Sequence, residues 1–342
     1  MRILASIAIA LVLTGAEWPQ FRGPEGTGVS SGSPPTRWTK TDGIAWKTAL
    51  PGGGSSSPIV VGNRVFVTCF SGDPDSKLTR HLVCLDRASG QVKWTADVPA
   101  YSPEDPYRGY ITEHGYASHT PVTDGEAVYV FFGKSGVHAF DLDGKKLWNA
   151  SVGTDSDLRR WSSSASPLLY KGLVIVNAAS ESRAVIALNK KTGKQEWKAE
   201  GNRLSMSFST PTLVRVGEHT ELVVAMPGDV WGLHPDTGKL LWYCTIAPSG
   251  NICPSVIPGD GVAFVTGGFQ TKGSVAIKCG GRDDVTKTHI LWTSRQSSYV
   301  PTPVLNAGRL YCVTEDGLAL CLKADTGEAV YQERLSRSEE HT

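Results

Sequence analysis

The chain has 342 residues, beyond the roughly 250–300 at which a single hydrophobic core usually stops growing, so two domains or one repetitive domain are expected. Lys and Arg total 34 against 33 Asp and Glu, which excludes a global electrostatic attraction to nucleic acid or to an acidic membrane surface. A hydrophobic fraction of 40% is too high for disorder, and 37 Gly with 20 Pro is typical of a turn-rich β protein.

Residues 1–16 have the pattern of a secretory signal peptide. A basic start, Met1-Arg2, precedes an apolar run over residues 3–13 that is too short to span a bilayer, and Thr14-Gly15-Ala16 offers small residues for cleavage. A buried N-terminal strand is the alternative. No Cys follows the run, which gives no support for a lipid anchor. We therefore expect an exported protein, periplasmic or extracellular, with no transmembrane span after cleavage.

Residues 17–42 are interpreted as an N-terminal extension, and a repeat occupies residues 43–336. Each unit of about 45–50 residues opens with a proline, contains about four short β-rich segments separated by turns, and closes with an aromatic residue. Four antiparallel strands at this period are typical of a β-propeller blade, with the large aromatic side chain filling the space between neighbouring blades. The tryptophans in question are Trp46, Trp94, Trp148, Trp197, Trp242 and Trp292.

The sequence predicts an all-β propeller with six visible blades in an incomplete ring. Residues 43–47 are predicted to form the fourth strand of a blade whose first three strands do not precede it in the sequence. In propellers such a strand usually pairs with the C-terminal blade, which closes the ring and removes a free edge. Residues 337–342 break the pattern and are predicted to be an artefactual tail, with an ordinary frayed polar tail as the alternative. The six units begin at Pro58, Pro121, Pro167, Pro211, Pro254 and Pro303.

The repeat carries a family resemblance. Residues 185–197 and 231–242 best show the unit, in which an aliphatic strand, a Thr-Gly-Lys turn and a Trp follow one another, and this unit resembles the tryptophan-docking repeat of quinoprotein (PQQ) dehydrogenases and their non-catalytic relatives. Residues 18–24, Trp-Pro-Gln-Phe-Arg-Gly-Pro, resemble the start of secreted bacterial PQQ-like propellers of unassigned function. The resemblance implies seven or eight blades, so one or two blades are expected to be lost beyond Ser336.

Function is expected on the face that carries the long loops between blades, such as residues 95–119, because binding residues concentrate on long loops held by a rigid scaffold. An acidic and histidine group there could ligate a metal or move protons, although a structural loop is favoured and no metal is predicted. An Arg beside a Trp could bind an anionic or planar ligand, with a packing Trp as the alternative. The candidates are Arg108, Glu113, His114, His119, Arg160, Trp161 and Arg203.

Cys312 and Cys321 are predicted to form a disulfide or at least to face each other. A two-residue turn at Asp316-Gly317 would place them directly opposite on a hairpin, within disulfide reach. Two small buried side chains are the alternative.

The leading functional interpretation is an exported, non-catalytic scaffold that binds a protein, a peptide or a small envelope ligand on its long-loop face, with no cofactor. By resemblance, the propeller lipoprotein of the outer-membrane barrel-assembly machinery is a close functional analogue. The alternative is a quinoprotein oxidoreductase that acts on an alcohol or sugar with PQQ and calcium. That resemblance implies an adjacent Cys-Cys pair, and no two cysteines are adjacent here. A third interpretation is a hydrolase that uses Glu113, His114 and His119.

Overall fold

The computed structural model describes residues 17–33, 35–73 and 77–335, so the predicted signal peptide and tail lie outside the described residues. The chain forms six four-stranded antiparallel sheets in series, each built from four consecutive strands apart from one short insertion. Within the described ranges, no helix is both long and apolar enough to cross a membrane.

Strands are numbered in chain order and sheets as blades 1 to 6. Blade 1 consists of β1 (Ile59–Val61), β2 (Arg64–Ser71), β3 (Thr79–Asp86) and β4 (Val92–Pro99). Blade 2 consists of β5 (Val122–Thr123), β6 (Ala127–Phe131), β7 (Val137–Asp141) and β8 (Lys146–Ala150). Blade 3 consists of β9 (Leu168–Tyr170), β10 (Leu173–Ala178), β11 (Ala184–Asn189) and β12 (Gln195–Glu200).

Blade 4 consists of β13 (Thr212–Val216), β14 (His219–Met226), β15 (Asp229–Leu233) and β16 (Leu240–Thr245). Blade 5 consists of β17 (Ile257–Pro258), β18 (Val262–Gly267), β19 (Gly273–Lys278) and β21 (Ile290–Ser294). Blade 6 consists of β22 (Val304–Asn306), β23 (Arg309–Val313), β24 (Leu318–Lys323) and β25 (Ala329–Arg334). The insertion β20 (Asp283–Asp284) pairs in parallel with β16. Two single-turn α-helices, α1 (Ile111–His114) and α2 (Ala179–Ser182), and two 3₁₀ turns, Gly133–Ser135 and Asn202–Leu204, lie in connecting segments.

The core lies between successive blades rather than within one blade. Between blades 2 and 3, for example, Tyr129 and Phe131 pack against Val174 and Ile186. Comparable clusters join each of the remaining pairs of consecutive blades, from blades 1 and 2 to blades 5 and 6. A sheet can bury both faces only by stacking on neighbours, which explains the near-continuous apolar third strands. None of the clusters formed by the described residues joins blade 6 to blade 1.

Residues 43–47 differ from the prediction, because they form no strand and lie against blade 1. The Trp46 indole N–H donates to the Arg87 carbonyl at 2.9 Å, and Trp46 packs beside the valines of the outer face of that blade. The residues therefore cover blade 1 without pairing to another sheet.

The blade tryptophans tie consecutive blades together through one repeated contact. The Trp197 indole N–H donates to the Pro235 carbonyl of the next blade at 3.1 Å, and its ring lies over Gly238, where an added Cβ would come within 2.4 Å of it. Gly238 has φ +69°, so the turn needs glycine for its backbone as well as for the ring. The same contact is made by Trp94 to Leu142, Trp148 to Lys190 and Trp292 to Ala324. Trp148, Trp197 and Trp292 are buried, and Trp46 and Trp94 are half-buried.

Trp242 is fully buried but bonds inside its own blade. Its indole N–H donates to the Glu221 carboxylate at 2.7 Å, and its ring covers Gly232 on the adjacent strand. Glu221 also accepts from the Gly280 N–H of blade 5 at 3.1 Å. Blade 5 lacks the Ser-Gly, Asp-Gly or Thr-Gly turn of the other blades, so a buried carboxylate takes over the link that a carbonyl provides elsewhere.

The predicted pairing of Cys312 with Cys321 is wrong. Cys312 lies opposite Leu320 in the β23–β24 hairpin, which shifts the register by one residue and puts the two cysteines on opposite faces of the sheet. The cause is a three-residue loop, 315–317, with Gly317 at φ +72°, in place of the expected two-residue turn. All seven cysteines are free thiols.

Trp197→Ala is expected to lower the free energy of unfolding by about 3–5 kcal/mol, since it opens a cavity between blades 3 and 4 and leaves the Pro235 carbonyl unpaired. The control is Trp38→Ala, because Trp38 is 63% exposed, and a change within about 0.5 kcal/mol is expected there. Urea unfolding of both variants checks this. Equal losses for the two would contradict the role assigned to the inter-blade indole.

Candidate functional site

The loop of residues 100–121 leaves blade 1 and extends across the central opening on the long-loop face. Tyr110, just before α1, packs on Trp161 of the following loop with 4.8 Å between ring centroids. It also contacts Tyr299 at 6.5 Å, in the loop that leads into blade 6. A single tyrosine thus links the loop that follows blade 1 to the loop that precedes blade 6.

These contacts extend into an aromatic surface. Phe269 packs on Tyr299 at 5.9 Å, and Trp161 packs on Phe208 at 6.2 Å between centroids. Several apolar side chains here face solvent to an unusual extent, including Leu158 at 86% and Phe269 at 59%. We call the set Tyr110, Leu158, Trp161, Phe269 and Val300 the mouth surface.

Exposed arginines surround the mouth surface. The Arg159 guanidinium lies over the Trp161 ring, 5.6 Å from its centroid. Arg108 and Arg160 are exposed beside it, and Arg160 has φ +55°, which turns the chain sharply before Trp161. Arg203 is exposed but paired, with its guanidinium 2.5 Å from the Asp229 carboxylate. Aromatic rings and guanidinium groups are therefore interleaved on one face.

Two buried ion pairs hold the loop of residues 100–121 in place. Arg80 on β3 meets Glu104 at 2.6 Å with both side chains at most 3% exposed, and it donates to the Tyr116 carbonyl at 2.8 Å. Lys134 meets Asp105 at 3.0 Å, and both are buried. Each cation comes from a blade and each anion from the loop, so the loop is anchored by charge as well as by packing.

A buried polar chain lies deeper, at the boundary of blades 2 and 3. The Ser163 hydroxyl donates to the Glu181 carboxylate at 2.5 Å, and the His119 Nε2–H donates to Ser163 at 3.0 Å. Burial raises the pKa of Glu181 to about 7 and lowers the pKa of His119 to about 3, so His119 is neutral at physiological pH. Glu181 Oε2 and His119 Nδ1 have no hydrogen-bond partner within the described part of the chain.

The structure separates the predicted cluster of Glu113, His114 and His119. Glu113 faces solvent on α1, whereas His114 is half-buried and donates from Nε2 to the Trp161 carbonyl at 3.0 Å. Burial lowers the pKa of His114. His119 points inward to Ser163. In the described ranges, no group of His, Cys, Asp or Glu side chains is arranged to hold a metal ion.

The sequence-based candidates include Trp161 and Arg160 but not Arg159, Tyr110, Phe269 or Tyr299, which contact Trp161 directly or through one another in the structure. Tyr110 lies in the same loop as Glu113 and His114, whose residue types suggest metal or proton chemistry more directly than an aromatic side chain suggests binding. Phe269 and Tyr299 occupy short loops of blades 5 and 6, and only the three-dimensional arrangement brings them to Tyr110. An aromatic residue at the tip of a loop on this face was the available signal.

Antiparallel four-stranded sheets in series, with cores between them, define the class of this protein as a β-propeller. The family model PQQ_2, described as outer membrane protein assembly factor BamB, matches residues 36–162 and 82–333, and the chain belongs to this family.

Individual relatives share only a low sequence identity with this chain. Outer membrane protein assembly factor BamB of Burkholderia pseudomallei (strain K96243) is 25% identical over 205 residues, which make up 59% of this chain and 45% of the relative. The match thus spans less than half of that relative's length.

Two solved structures are similar in fold. BamB from Moraxella catarrhalis has a TM-score of 0.59 at 18% identity, covering 85% of this chain and 77% of that chain. The quinohemoprotein alcohol dehydrogenase ADHIIG from Pseudomonas putida HK5 has a TM-score of 0.54 at 12% identity, covering 85% and 68%.

The side chains at the mouth do not fit PQQ. A planar quinone needs an open aromatic face, but Tyr110 and Phe208 both pack on Trp161 and the Arg159 guanidinium lies over its ring. The thiol at Cys253, in the loop that leads into blade 5, has no neighbouring cysteine, and burial raises its pKa to about 12. We derive no redox step through this cofactor.

Glu181→Gln is expected to change the pH dependence of stability. In the unfolded chain the Glu181 pKa returns to about 4.5, so between pH 4.5 and pH 7 the folded state keeps a proton that the unfolded state has lost. Stability contributed by Glu181 is therefore complete below pH 4.5 and lost as the pH rises to 7. The free energy of unfolding of the variant minus that of the wild type should rise by about 3 kcal/mol from pH 4 to pH 8.

Chemical denaturation at several pH values measures this difference. His119 titrates with the opposite sign over an overlapping range, and its contribution cancels if it is the same in both proteins. The exposed Glu218 provides the control variant Glu218→Gln, which should give a flat difference. A flat difference for Glu181→Gln as well would show that the carboxyl ionises freely in the folded protein.

Proposed function

We propose that this protein is an exported, non-catalytic scaffold of the bacterial cell envelope that docks a partner protein on its mouth surface. The observation that carries the proposal is a group of four exposed apolar and aromatic side chains around the half-buried Trp161. The four are Tyr110, Leu158, Phe269 and Val300. Large exposed apolar groups bordered by polar residues are typical of protein-interaction sites.

The composition of the surface favours a protein over a small ligand. Tyr, Trp and Arg are the residues that most often dominate the binding energy of protein interfaces, and Tyr110 and Arg159 both contact Trp161 here. The side chains are presented outward rather than around a cavity. A broad surface of rigid aromatic anchors suits a protein partner better than an enclosed small molecule.

The family relationship supports a role in assembly. The relatives named above include outer membrane protein assembly factors, so we propose that this scaffold also serves outer membrane protein assembly and acts from the periplasmic space. Near-zero net charge gives no support for nucleic acid as the partner. No cofactor enters the proposal, and the alternative of a quinoprotein oxidoreductase is tested by reconstitution with PQQ and calcium, where alcohol-dependent reduction of a dye would support it.

Photo-crosslinking in cells tests the docking face. The variants Tyr110→p-benzoylphenylalanine and Phe269→p-benzoylphenylalanine place a crosslinker on the mouth surface. The control, Lys171→p-benzoylphenylalanine, places one on the β9–β10 turn of the opposite face, where the lysine side chain is 63% exposed. We expect a defined protein adduct at positions 110 and 269 but not at 171, and mass spectrometry should identify an envelope protein that takes part in outer membrane assembly.

The affinity for the protein so identified provides the second measurement. Tyr110→Ala combined with Phe269→Ala should weaken binding by about tenfold or more, whereas Lys171→Ala should leave it unchanged. Equal crosslinking at all three positions, or none at the mouth, would refute the docking face. Recovery of a small molecule instead of a protein would replace the scaffold with a ligand-binding function.

A further inference from the structure

The N-terminal segment of residues 17–28 is hydrogen-bonded to the first strands of blades 1 and 2 and to the start of blade 6. Trp18 exchanges two main-chain hydrogen bonds of 2.9 Å with Val60 on β1, which form an isolated antiparallel bridge at the edge of blade 1. The Pro19 carbonyl then accepts from the Thr123 N–H of blade 2 at 2.9 Å. Two successive residues thus bind two successive blades.

Arg22 carries the same segment to blade 6. Its guanidinium donates to the carbonyls of Thr302 and Pro303, at 3.2 and 2.6 Å, which end the loop that leads into that blade. Residues 280 positions apart in the chain are joined in this way. Burial lowers the pKa of Arg22 to about 10, so the side chain remains charged at neutral pH and its hydrogen bonds are charge-assisted.

The backbone turn that follows Arg22 holds its side chain in place. The same guanidinium also donates to the carbonyls of Gly26 and Thr27, at 3.1 and 2.9 Å, which fixes its plane. Arg22 itself has φ +64° and Gly23 has φ +80°. A Cβ on Gly23 would come within 2.7 Å of the Trp18 ring, so only glycine lets the chain turn tightly enough over that ring.

We propose that residues 17–28 act as an intramolecular strap that ties blade 6 to blades 1 and 2. The described hydrophobic clusters join each blade to the next but none joins blade 6 to blade 1. The strap connects these two blades directly through hydrogen bonds, and the Tyr110–Tyr299 pair is a second contact between the loops that follow blade 1 and precede blade 6. This inference concerns the fold of the free protein and does not depend on a docking partner.

The strap has a defined consequence for dynamics. Holding Thr302 and Pro303 restricts the loop that also carries Tyr299, and it lowers the rate at which blade 6 opens locally. Local opening controls amide hydrogen exchange, so the backbone amides of β22–β25 report directly on the strap. The amides of blade 3, which is packed on both sides by neighbouring blades, provide an internal reference.

The first test is hydrogen exchange of the full chain by mass spectrometry. Arg22→Ala should speed exchange in blade 6 by about tenfold or more, because it removes hydrogen bonds from a charged donor, and it should leave blade 3 unchanged. The control is Arg37→Ala, which removes an exposed arginine from the same N-terminal extension. Unchanged exchange in blade 6, or equal acceleration in every blade, would overturn the strap.

A second pair of variants keeps the arginine and breaks the turn. Gly23→Ala places a methyl group against the Trp18 ring, whereas Gly26→Ala meets no atom within 4 Å, although both positions have positive φ. Faster exchange in blade 6 is expected for Gly23→Ala beyond any change in Gly26→Ala. If Gly23→Ala and Gly26→Ala change exchange in blade 6 equally, the strap does not act through this turn. This comparison can be made even if Arg22→Ala does not fold.

Discussion

An indole N–H bonded to the backbone of the next blade sets the distance between sheets, and the rest of the structure depends on that distance. The Trp197 ring fits over Gly238 because the turn has no side chain there, and the same arrangement recurs at three other blade boundaries. Each contact combines apolar burial with a satisfied donor, so it fixes both the spacing and the orientation of the blades. The loops between blades begin at positions that these contacts fix, so the loop sequences can differ without changing the spacing of the sheets.

The repeat in the sequence therefore predicts the fold well, since its period, its Gly turns and its Trp all report on one local contact. Prediction fails where a turn departs from the expected geometry. Asp316-Gly317 suggests a two-residue hairpin, but Gly317 takes the left-handed position of a three-residue loop and moves Cys312 away from Cys321. A register depends on one backbone dihedral, and residue types alone leave that choice open.

The site was predictable only in part for a different reason. The long loops indicate the candidate face, and Trp161 and Arg160 are candidates from their sequence, whereas Arg159 is not. Contacts such as Tyr110 with Tyr299 join residues far apart in the chain, and they depend on how many blades separate the two loops. The buried pairs Arg80–Glu104 and Lys134–Asp105 are equally hidden, because a charged residue in a loop is normally solvated.

These buried charges bear on how the mouth surface can bind. Removing an ion pair from water is unfavourable, and the Coulomb attraction offsets that cost only where further hydrogen bonds complete the network. Arg80 meets this condition through Glu104 and the Tyr116 carbonyl, so the loop that carries Tyr110 is held before any partner arrives. A loop ordered in advance loses less conformational entropy on binding, and its aromatic side chains can contribute more of their contact energy to affinity. Buried charge beneath the loop and exposed aromatic surface above it are thus two parts of one arrangement, in which the first holds the second in place for the docking proposed above.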